Sequence, residues 1–394
     1  MSYTKQGTRV GSAAKLLLGL LVAAITVLTH AGGATAQGSA AGKYFAIAHM
    51  TNTSRAVDWA VGQGANAIEA DLQFDATGKL WRFYHGGVCD CACSSGSGSV
   101  CSPLRGSCEA AASAISLLRH MAGRRQLALI IVDSKIDDDM KPSVMRKAGQ
   151  NVIKALNTEV FGKGYKGMVI VGAAKLTASN YIGAAIKQAA SSRYNRRIFF
   201  SFDQESSKVN NVLGELADLG TKNRAFGTGI SACVPGSYYS AIRLANQNRS
   251  RGTHGMSYIW TVDKESTITK YLEAGAQGIM TNRPARALSI MKAKGLALAK
   301  PGQLLPVATS RPTAGLAVGA RCNVDKDCTN GACARATAAK NTAKRCCVSS
   351  QTTRFAGFDY CKQMSKGSVC WSDAMCASGN CKGNRSGLRR GKCS

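Results

Sequence analysis

The sequence predicts an α/β protein consisting of a (β/α)₈ TIM barrel followed by a small disulfide-rich C-terminal module. Eight apolar runs of strand length alternate with helix-length segments over roughly 250 residues, which is typical of such a barrel. A different composition, rich in cysteine and basic residues, begins near residue 320. A doubly wound open sheet is the alternative fold, but no glycine-rich phosphate-binding motif follows the first predicted strand. The predicted strands span residues 44–49, 67–74, 127–133, 167–171, 197–202, 224–230, 257–262 and 277–281.

The first strand–helix–strand unit carries three polar side chains close to strand ends. Apolar residues at helical spacing predict a helix over residues 55–63, between the first two strands. His49 ends the first strand, and Glu69 and Asp71 lie in the second. Because parallel sheets and barrels place their chemistry at the carboxyl ends of strands, we expect these side chains to meet there.

One segment interrupts the regular alternation. Residues 79–84 are predicted to form a hairpin with the second strand, and a Ser/Gly loop with five cysteines follows His85. Disulfides would hold a loop that has so little apolar content. The alternation then resumes with helices predicted at residues 143–156, 179–190, 206–219 and 266–273.

The N-terminus has the composition of a secretory signal peptide. Lys5, Arg9 and Lys15 precede an apolar segment over residues 16–28, and small residues end at Ala36. This pattern predicts cleavage after Ala36 and a secreted, extracellular protein. An uncleaved membrane anchor is the alternative, although the apolar segment is short for a membrane span.

The sixteen cysteines indicate an oxidising compartment and disulfides. Five lie between Cys89 and Cys108, Cys233 stands alone, and ten follow from Cys322 to Cys393. The first two groups together make six, which can pair fully. The last ten can pair among themselves.

The composition divides the chain into a signal peptide (1–36), a barrel (37–298), a linker (299–320) and a cysteine-rich module (321–394). The linker prediction comes from its Pro, Ala, Gly and Thr content. The module contains an internal repeat, because the spacing of Cys322, Cys328 and Cys333 recurs at Cys370, Cys376 and Cys381, with Cys346 and Cys393 closing the two units. Zinc binding is the alternative to disulfides, but the module has no histidine.

The formal net charge of +29 favours an anionic partner, such as an acidic lipid surface, a polyanionic glycan or a nucleic acid. No dense basic run interleaved with aromatic residues is present, so we do not expect nucleic-acid binding. The basic C-terminal module is the candidate for an anionic glycan or lipid contact. The alternative is that Lys and Arg only solvate helix faces.

Polar side chains at the predicted strand ends form a candidate catalytic site. Glu69, Asp71 and Asp133 would repel one another unless a cation lies among them, and oxygen ligands suit Mg²⁺ or Ca²⁺. Mg²⁺ commonly holds a substrate phosphate. The further strand-end residues are Lys135, Trp260, Asp263 and Asn282.

These residue types suit the cleavage of a phosphodiester. Lys135 and a divalent cation would neutralise the non-bridging oxygens, while His49 and His85 would act as an acid/base pair. The order of acid and base stays open at this point. Each residue also has an ordinary structural interpretation, such as a strand-end hydrogen bond for His49 or a surface ion pair for Asp133 with Lys135; their agreement favours the functional one.

Seven short motifs resemble the sphingomyelinase D or phospholipase D toxins of recluse-type spiders and their bacterial and fungal relatives, a group related to the glycerophosphodiester phosphodiesterases. They occur in the expected order over residues 44–290. The motifs are IAHM at 47–50, GANAIEADLQF at 64–74, YHG at 84–86, CDC at 89–91, VDSK at 132–135, YIWTVDK at 258–264 and GIMTN at 278–282.

The resemblance implies a Mg²⁺-dependent enzyme that releases the headgroup of sphingomyelin or lysophospholipids, with attack by the lipid's own hydroxyl and a cyclic phosphate product. It implies these roles: His49 and His85 as the acid/base pair; Glu69, Asp71 and Asp133 as ligands of one Mg²⁺; and Lys135, Tyr258 and Trp260 as substrate contacts. It further implies that Asp90 orients His85, that Asn282 and Asp263 support the site, and that Cys91 pairs with Cys233.

The sequence departs from the family pattern in three places. Ser134 replaces the usual leucine, three extra cysteines follow the CDC motif, and the cysteine-rich module replaces the short family tail. Two other functions stay open. One is a glycerophosphodiesterase acting on small diesters, although Met50 follows His49 where those enzymes usually have Arg-Gly. The other is a non-catalytic protein that binds a glycan or a membrane.

Overall fold

A computed structural model describes residues 39–85, 113–203, 208–232 and 236–312, together with 322, 328, 332–335, 344–347, 352–355, 358–364, 366–367, 369–370, 373–383 and 391–394. In the described residues, eight parallel strands form one sheet, and a ninth strand, β3, pairs with the internal strand β2. The parallel strands are β1 (Phe45–Ala48), β2 (Ala67–Phe74), β4 (Leu129–Lys135), β5 (Met168–Ala173), β6 (Ile198–Phe202), β7 (Ala225–Gly229), β8 (Met256–Trp260) and β9 (Gly278–Thr281).

The sheet closes almost completely into a barrel. Its strand order is β6-β5-β4-β2-β1-β9-β8-β7, so that β6 and β7 are the two ends. A parallel bridge between Phe200 and Arg224 joins these ends. The predicted (β/α)₈ barrel is therefore confirmed, and all eight parallel strands overlap the predicted ranges.

Helices follow the strands on the outside of the barrel. Thr53 begins the first one by accepting a hydrogen bond from the Ala56 amide at 3.1 Å, as expected for an N-cap. Among the described residues, no helix is long and apolar enough to cross a membrane. The helices are α1 (Ser54–Gly62), α2 (Ala114–Ala122), α3 (Pro142–Ala155), α4 (Ser179–Ala190), α5 (Val209–Asp218), α6 (Tyr239–Ser250), α7 (Glu265–Glu273) and α8 (Pro284–Ala293).

The alternation of side chains along each strand separates two apolar cores. In β4, Ile130 and Val132 pack in the larger core with the helices, whereas Leu129 and Ile131 belong to the smaller core that fills the barrel. The next position on the inner side is Asp133. The polar side chains inside the barrel therefore begin directly above the inner apolar layer.

Strand β3 (Leu80–Phe83) forms the predicted hairpin with β2. The two strands are antiparallel, and Leu72 lies opposite Phe83. The pairing extends β2 beyond the barrel rim and returns the chain toward the site, because the Tyr84 amide donates to the Asp71 carbonyl oxygen at 2.8 Å. His85 follows directly.

The start of the predicted linker, residues 299–312, is packed structure. Leu304, Leu305 and Ala308 are buried, and Leu304 and Leu305 join the core inside the barrel. This segment also bonds to the amino-terminal side of the sheet; for example, the Ala308 amide donates to the Lys222 carbonyl oxygen at 2.7 Å. The barrel therefore extends to about residue 312. The Pro, Gly and Thr content of this segment predicted a linker. The three apolar residues in it nevertheless pack at the amino-terminal end of the barrel.

The described residues of the C-terminal module form seven short strands in two sheets. Five disulfides pair its ten cysteines among themselves, as predicted. The internal repeat is also confirmed, because Cys322–Cys333 with Cys328–Cys346 has the same connectivity as Cys370–Cys381 with Cys376–Cys393. These sulfurs are bonded to one another, so they do not support the zinc alternative. The strands are β10 (Cys333–Arg335), β11 (Lys344–Cys346), β12 (Thr352–Phe355), β13 (Phe358–Cys361), β14 (Val369–Cys370), β15 (Cys381–Lys382) and β16 (Gly391–Cys393).

Candidate active site

Three carboxylates meet inside the carboxyl end of the barrel. Asp71 of β2 and Asp133 of β4 are direct partners in the strand register, and Glu69 precedes Asp71 on the same face. One oxygen from each lies within 4.8 Å of the others. Glu69 and Asp71 are almost fully buried. The strand register thus brings together the three residues that the sequence predicts as metal ligands.

Glu69 is held by the loop that follows β1. Its Oε2 accepts a hydrogen bond from the Met50 amide at 2.7 Å. Met50 has a φ of 54°, which is uncommon for a residue with a side chain, and backbone of this kind tends to occur at functional sites. Burial raises the pKa of Glu69 well above its ordinary value, and the charges of Asp71 and Asp133 raise it further.

Asp71 is held on two sides by Asn52, a residue that sequence reasoning missed. The Asn52 amide nitrogen donates to Asp71 Oδ2 at 2.6 Å, and its Oδ1 accepts from the Asp71 backbone amide at 2.8 Å. Asn52 has no exposed surface. Its position three residues after His49, in the loop leaving β1, is the only signal that could have indicated it.

Lys135 lies between two of the carboxylates. Its ammonium contacts Asp71 Oδ1 at 2.7 Å and also pairs with Asp133 Oδ2. Burial alone would lower the pKa of Lys135, but Asp133, Asp71 and Glu69 raise it well above its ordinary value. For Asp71, burial would raise the pKa, yet Lys135 and His85 hold it below its ordinary value. The carboxylate cluster therefore already accepts one cation.

The site has the chemistry of a metal centre. Asp133 Oδ1 is buried without a hydrogen-bond partner among the described residues. A buried, charged acceptor without a partner is costly unless a cation or a donor supplies one. The oxygen donors of Glu69, Asp71 and Asp133 therefore fit a hard divalent cation.

His49 belongs to a chain of hydrogen bonds with both supporting residues. Its Nδ1 lies 3.0 Å from Asn282 Oδ1, while the Asn282 amide nitrogen donates to Asp263 Oδ2 at 2.9 Å. Because Asp263 accepts from the amide nitrogen, the oxygen of Asn282 faces the ring. Asn282 therefore accepts from Nδ1–H, which leaves Nε2 as the nitrogen that can exchange a proton with a substrate.

His85 reaches the same site from the β2–β3 hairpin. Its side chain is half-buried, and its charge contributes to the lowered pKa of Asp71. The two histidines therefore flank the carboxylates from β1 and from the hairpin. Asp90, Cys91 and Cys233 lie outside the described residues, so the roles predicted for them stay predictions.

A second buried carboxylate follows β6, which is two strands from β4 in the sheet. Asp203 directly follows β6 and accepts hydrogen bonds from Ser201 and Tyr258. Burial, together with the charge of Asp133, raises the pKa of Asp203 to about 7. Asp203 comes directly after a strand, as His49 does, so the strand-end rule could have indicated it.

The predicted substrate contacts differ in their exposure. Tyr258 has no exposed surface, and in this conformation its hydroxyl holds Asp203. The predicted contact of Tyr258 with the substrate stays a prediction. Trp260, two residues later on the same face, is half-buried, and its Nε1 has no hydrogen-bond partner among the described residues. Lys135 retains 27% of its side-chain surface exposed.

Residues 42–299 match the dermonecrotic toxin SPH family. The chain belongs to this family. The match confirms the resemblance found in the motifs. Relatives include the dermonecrotic toxin LiSicTox-betaIA1i of Loxosceles intermedia, 29% identical over 265 residues that cover 62% of this chain and 82% of the toxin. The toxin StSicTox-betaIB1i of Sicarius terrosus is 26% identical, with 62% and 89% covered.

Among solved structures, a glycerophosphodiester phosphodiesterase from Parabacteroides distasonis is similar, with 14% sequence identity and a TM-score of 0.45. The match covers 66% of this chain and 100% of the bacterial enzyme. A second, from Agrobacterium tumefaciens, has 13% identity and a TM-score of 0.38, with 62% and 98% covered. The family match ends before the cysteine-rich module, so the module is an addition to the family domain.

Proposed function

We propose that this protein is a secreted, Mg²⁺-dependent phospholipase D of the sphingomyelinase D type. The observation that supports it most is the placement of three carboxylates, a lysine and two histidines on the inner face of one barrel end. Glu69, Asp71 and Asp133 would hold the ion, with His49 and His85 beside it. Family membership and the disulfides favour secretion.

Bound Mg²⁺ would supply positive charge for the phosphate oxygens of the substrate. Lys135 would add a second cation, because its ammonium lies at Asp71 and Asp133 with part of its surface exposed. Trp260 offers an aromatic face near the same opening, which suits a quaternary ammonium headgroup such as choline. Asp203, at the end of β6, accepts a hydrogen bond from the Tyr258 hydroxyl.

The two histidines would carry the proton transfers. One removes the proton from a hydroxyl of the lipid as that oxygen bonds to phosphorus. The bond between phosphorus and the headgroup oxygen breaks, and the other histidine gives its proton to that oxygen. The products are a cyclic phosphate and the headgroup alcohol. Asn282 and Asp263 would keep the His49 Nδ1 protonated, so that Nε2 takes part in the transfer.

The product of the reaction tests the proposal. Purified protein with intact disulfides should release choline from sphingomyelin or lysophosphatidylcholine when Mg²⁺ is present, and mass spectrometry should detect the cyclic phosphate. His49→Asn and His85→Asn should each lower kcat by at least about a hundredfold. Headgroup release that persists in EDTA, or no release from any sphingolipid or lysolipid, would contradict it.

A thermal melt provides a binding control that does not depend on turnover. Mg²⁺ should raise the Tm of the wild-type protein by mass action, and Asp133→Asn should largely abolish this response. A glycerophosphodiesterase acting on small diesters would show the same Mg²⁺ effect. Comparing the turnover of glycerophosphocholine with that of lysophosphatidylcholine distinguishes the two enzymes, and we expect the lysolipid to be preferred.

A further inference from the structure

The cysteine-rich module presents basic side chains in directly opposed pairs. Lys382 of β15 and Lys392 of β16 are cross-strand partners, as are Arg335 of β10 and Lys344 of β11. Like charges at directly opposed positions destabilise a sheet. Both repeats nevertheless contain such a pair, one or two residues from disulfide-bonded cysteines. A ligand with closely spaced negative charges would offset this repulsion.

Three of these four side chains are exposed at the surface. Lys344, Lys382 and Lys392 are exposed, and Lys382 and Lys392 form no ion pair with any described residue. The neighbouring Arg345 and Arg354 are exposed too. The described acidic residues of the module are only two, Asp359 and Asp373, and Asp373 accepts a hydrogen bond from the Cys381 amide. The described surface of the module is therefore strongly positive.

Among the module's side chains whose exposure the structure describes, no large apolar one is exposed. The large apolar side chains that are exposed in the described residues are Trp81 and Leu244, and both belong to the barrel. Stable attachment to a membrane usually combines charge with buried apolar area. The described basic side chains recur in opposed pairs, and such a spacing suits a soluble polymer with regular negative charges.

The point at which the chain leaves the barrel supports this choice. Thr309 donates its amide to the Gly252 carbonyl oxygen at 2.8 Å, and Gly252 precedes β8. Residues 308–312 therefore lie on the amino-terminal side of the sheet, opposite the carboxyl end that holds Glu69, Asp71 and Asp133. The module can therefore bind a partner that is different from the substrate of the active site.

We propose that the module binds a linear polyanionic polysaccharide, with carboxylate or sulfate groups contacting the opposed basic pairs of both repeats. The disulfides fix the spacing of these pairs, because Lys392 directly precedes the closing cysteine Cys393 and Lys344 lies two residues before the closing cysteine Cys346. A rigid set of cations binds a repeating polyanion at a small entropic cost. The proposal does not depend on the activity of the barrel.

Chromatography of the full-length protein on immobilised dextran sulfate and polygalacturonate tests this proposal. Lys382→Gln/Lys392→Gln and Arg335→Gln/Lys344→Gln should each raise the Kd about tenfold at low salt and lower the eluting salt concentration. The matched control is Lys187→Gln/Lys292→Gln, which removes two exposed lysines from the barrel helices α4 and α8. It should elute almost as the wild type does.

Three results would overturn the proposal. The first is equal loss in the barrel control, which would indicate an effect of net charge alone. The second is no retention on either polymer with uncharged dextran as reference. The third is sedimentation with vesicles containing phosphatidylglycerol that is stronger than polymer binding and is lost in the two module variants, which would make the partner a lipid surface. Near-ultraviolet circular dichroism of each variant checks that the module is folded.

Discussion

Asn52 and Asn282 support different halves of the site from the same barrel end. Asn52 contacts Asp71 on the carboxylate side, and Asn282 contacts His49 on the proton-transfer side. Supporting residues of this kind fix the orientation of the groups that do the chemistry. The two asparagines therefore allow metal binding and proton transfer to be separated by mutation.

Asn52→Ala should weaken Mg²⁺ binding by about 10- to 100-fold, because Asp71 loses both of its contacts with the side chain. Isothermal titration calorimetry of the wild type and the variant measures the change. Asn282→Ala is the control, since it should lower kcat while leaving the Mg²⁺ affinity nearly unchanged. An equal loss of Mg²⁺ affinity in both variants would show that the two halves are not separable.

His254 is a buried histidine outside the active site. Its ring lies between Thr253 Oγ1 at 2.9 Å and Ser257 Oγ at 2.7 Å. Burial lowers the pKa of His254 to about 3, and the positive charges of Arg249 and Arg224 add to the effect. Between about pH 3 and the ordinary value near 6.5, the unfolded chain binds a proton that the folded protein excludes. The stability linked to His254 is therefore complete above about pH 6.5 and declines as the pH falls.

Urea unfolding in EDTA at pH 7 and pH 5 tests this linkage. The wild type should lose about 2 kcal/mol more than His254→Gln between the two pH values, because the variant no longer has the titrating ring. The comparison cancels the contributions of the other titrating groups. Parallel losses in both proteins would contradict the assignment.

Sequence reasoning at the residue scale succeeded where a side chain comes directly from a strand end. It brought together His49, Glu69, Asp71 and Asp133 because the strand period and the barrel rim fix their positions. It missed Asn52 because a loop residue becomes a partner of Asp71 only through the path of the backbone. It did not anticipate the hydrogen bond from the Tyr258 hydroxyl to Asp203, because sequence alone does not reveal which side chains meet across the barrel.

Helices α3 and α4 pack closely at the element scale, and Gly149 makes this possible. A Cβ atom at Gly149 would lie 2.2 Å from the Tyr181 carbonyl oxygen and 3.0 Å from the Ala185 amide nitrogen. Both atoms belong to the backbone of α4, so the helices would have to separate. Gly62, the last residue of α1, has no atom within 4 Å of the same position.

Gly149→Ala should therefore lower the free energy of unfolding by about 1–3 kcal/mol, although alanine is the better helix former. Gly62→Ala provides the matched control and should raise the stability by up to about 1 kcal/mol, since only helix propensity changes. Urea titration of both variants gives the two values. A stabilising effect at position 149 would show that the helices can separate without loss.

The element boundaries were predicted well where a buried strand or an amphipathic helix sets the pattern. Strand β2 and helix α4 occupy the predicted ranges, 67–74 and 179–190. Residues 299–312 were predicted poorly, because composition records neither the contact of Leu304 and Leu305 with the barrel interior nor the backbone bonds of the segment. Local patterns identify elements, whereas the closing of a barrel is a tertiary event.

At the scale of the whole molecule, residues 299–312 determine where the barrel domain can be cut. A chain ending at residue 298 loses Leu304, Leu305 and Ala308, whose burial is worth about 3–5 kcal/mol. A chain ending at residue 312 keeps them. We expect the longer fragment to melt near the barrel transition of the full-length protein and the shorter one to melt much lower or to aggregate. Equal Tm values by circular dichroism would show that the segment is dispensable.

The join between β6 and β7 gives the Tyr258–Asp203 hydrogen bond a mechanical role. The bridge between Phe200 and Arg224 joins the two ends of the sheet from outside the site. Inside the barrel, Tyr258 on β8 reaches past Gly227 on β7 to Asp203 at the end of β6; a Cβ at Gly227 would lie 2.4 Å from Asp203 Oδ1. The hydrogen bond therefore links β8 to the end of β6 across the junction between β6 and β7, where the sheet closes. In Tyr258→Phe, amide hydrogen exchange should accelerate first in β6 and β7. Loss of this hydrogen bond should allow the sheet to open locally at the β6–β7 junction.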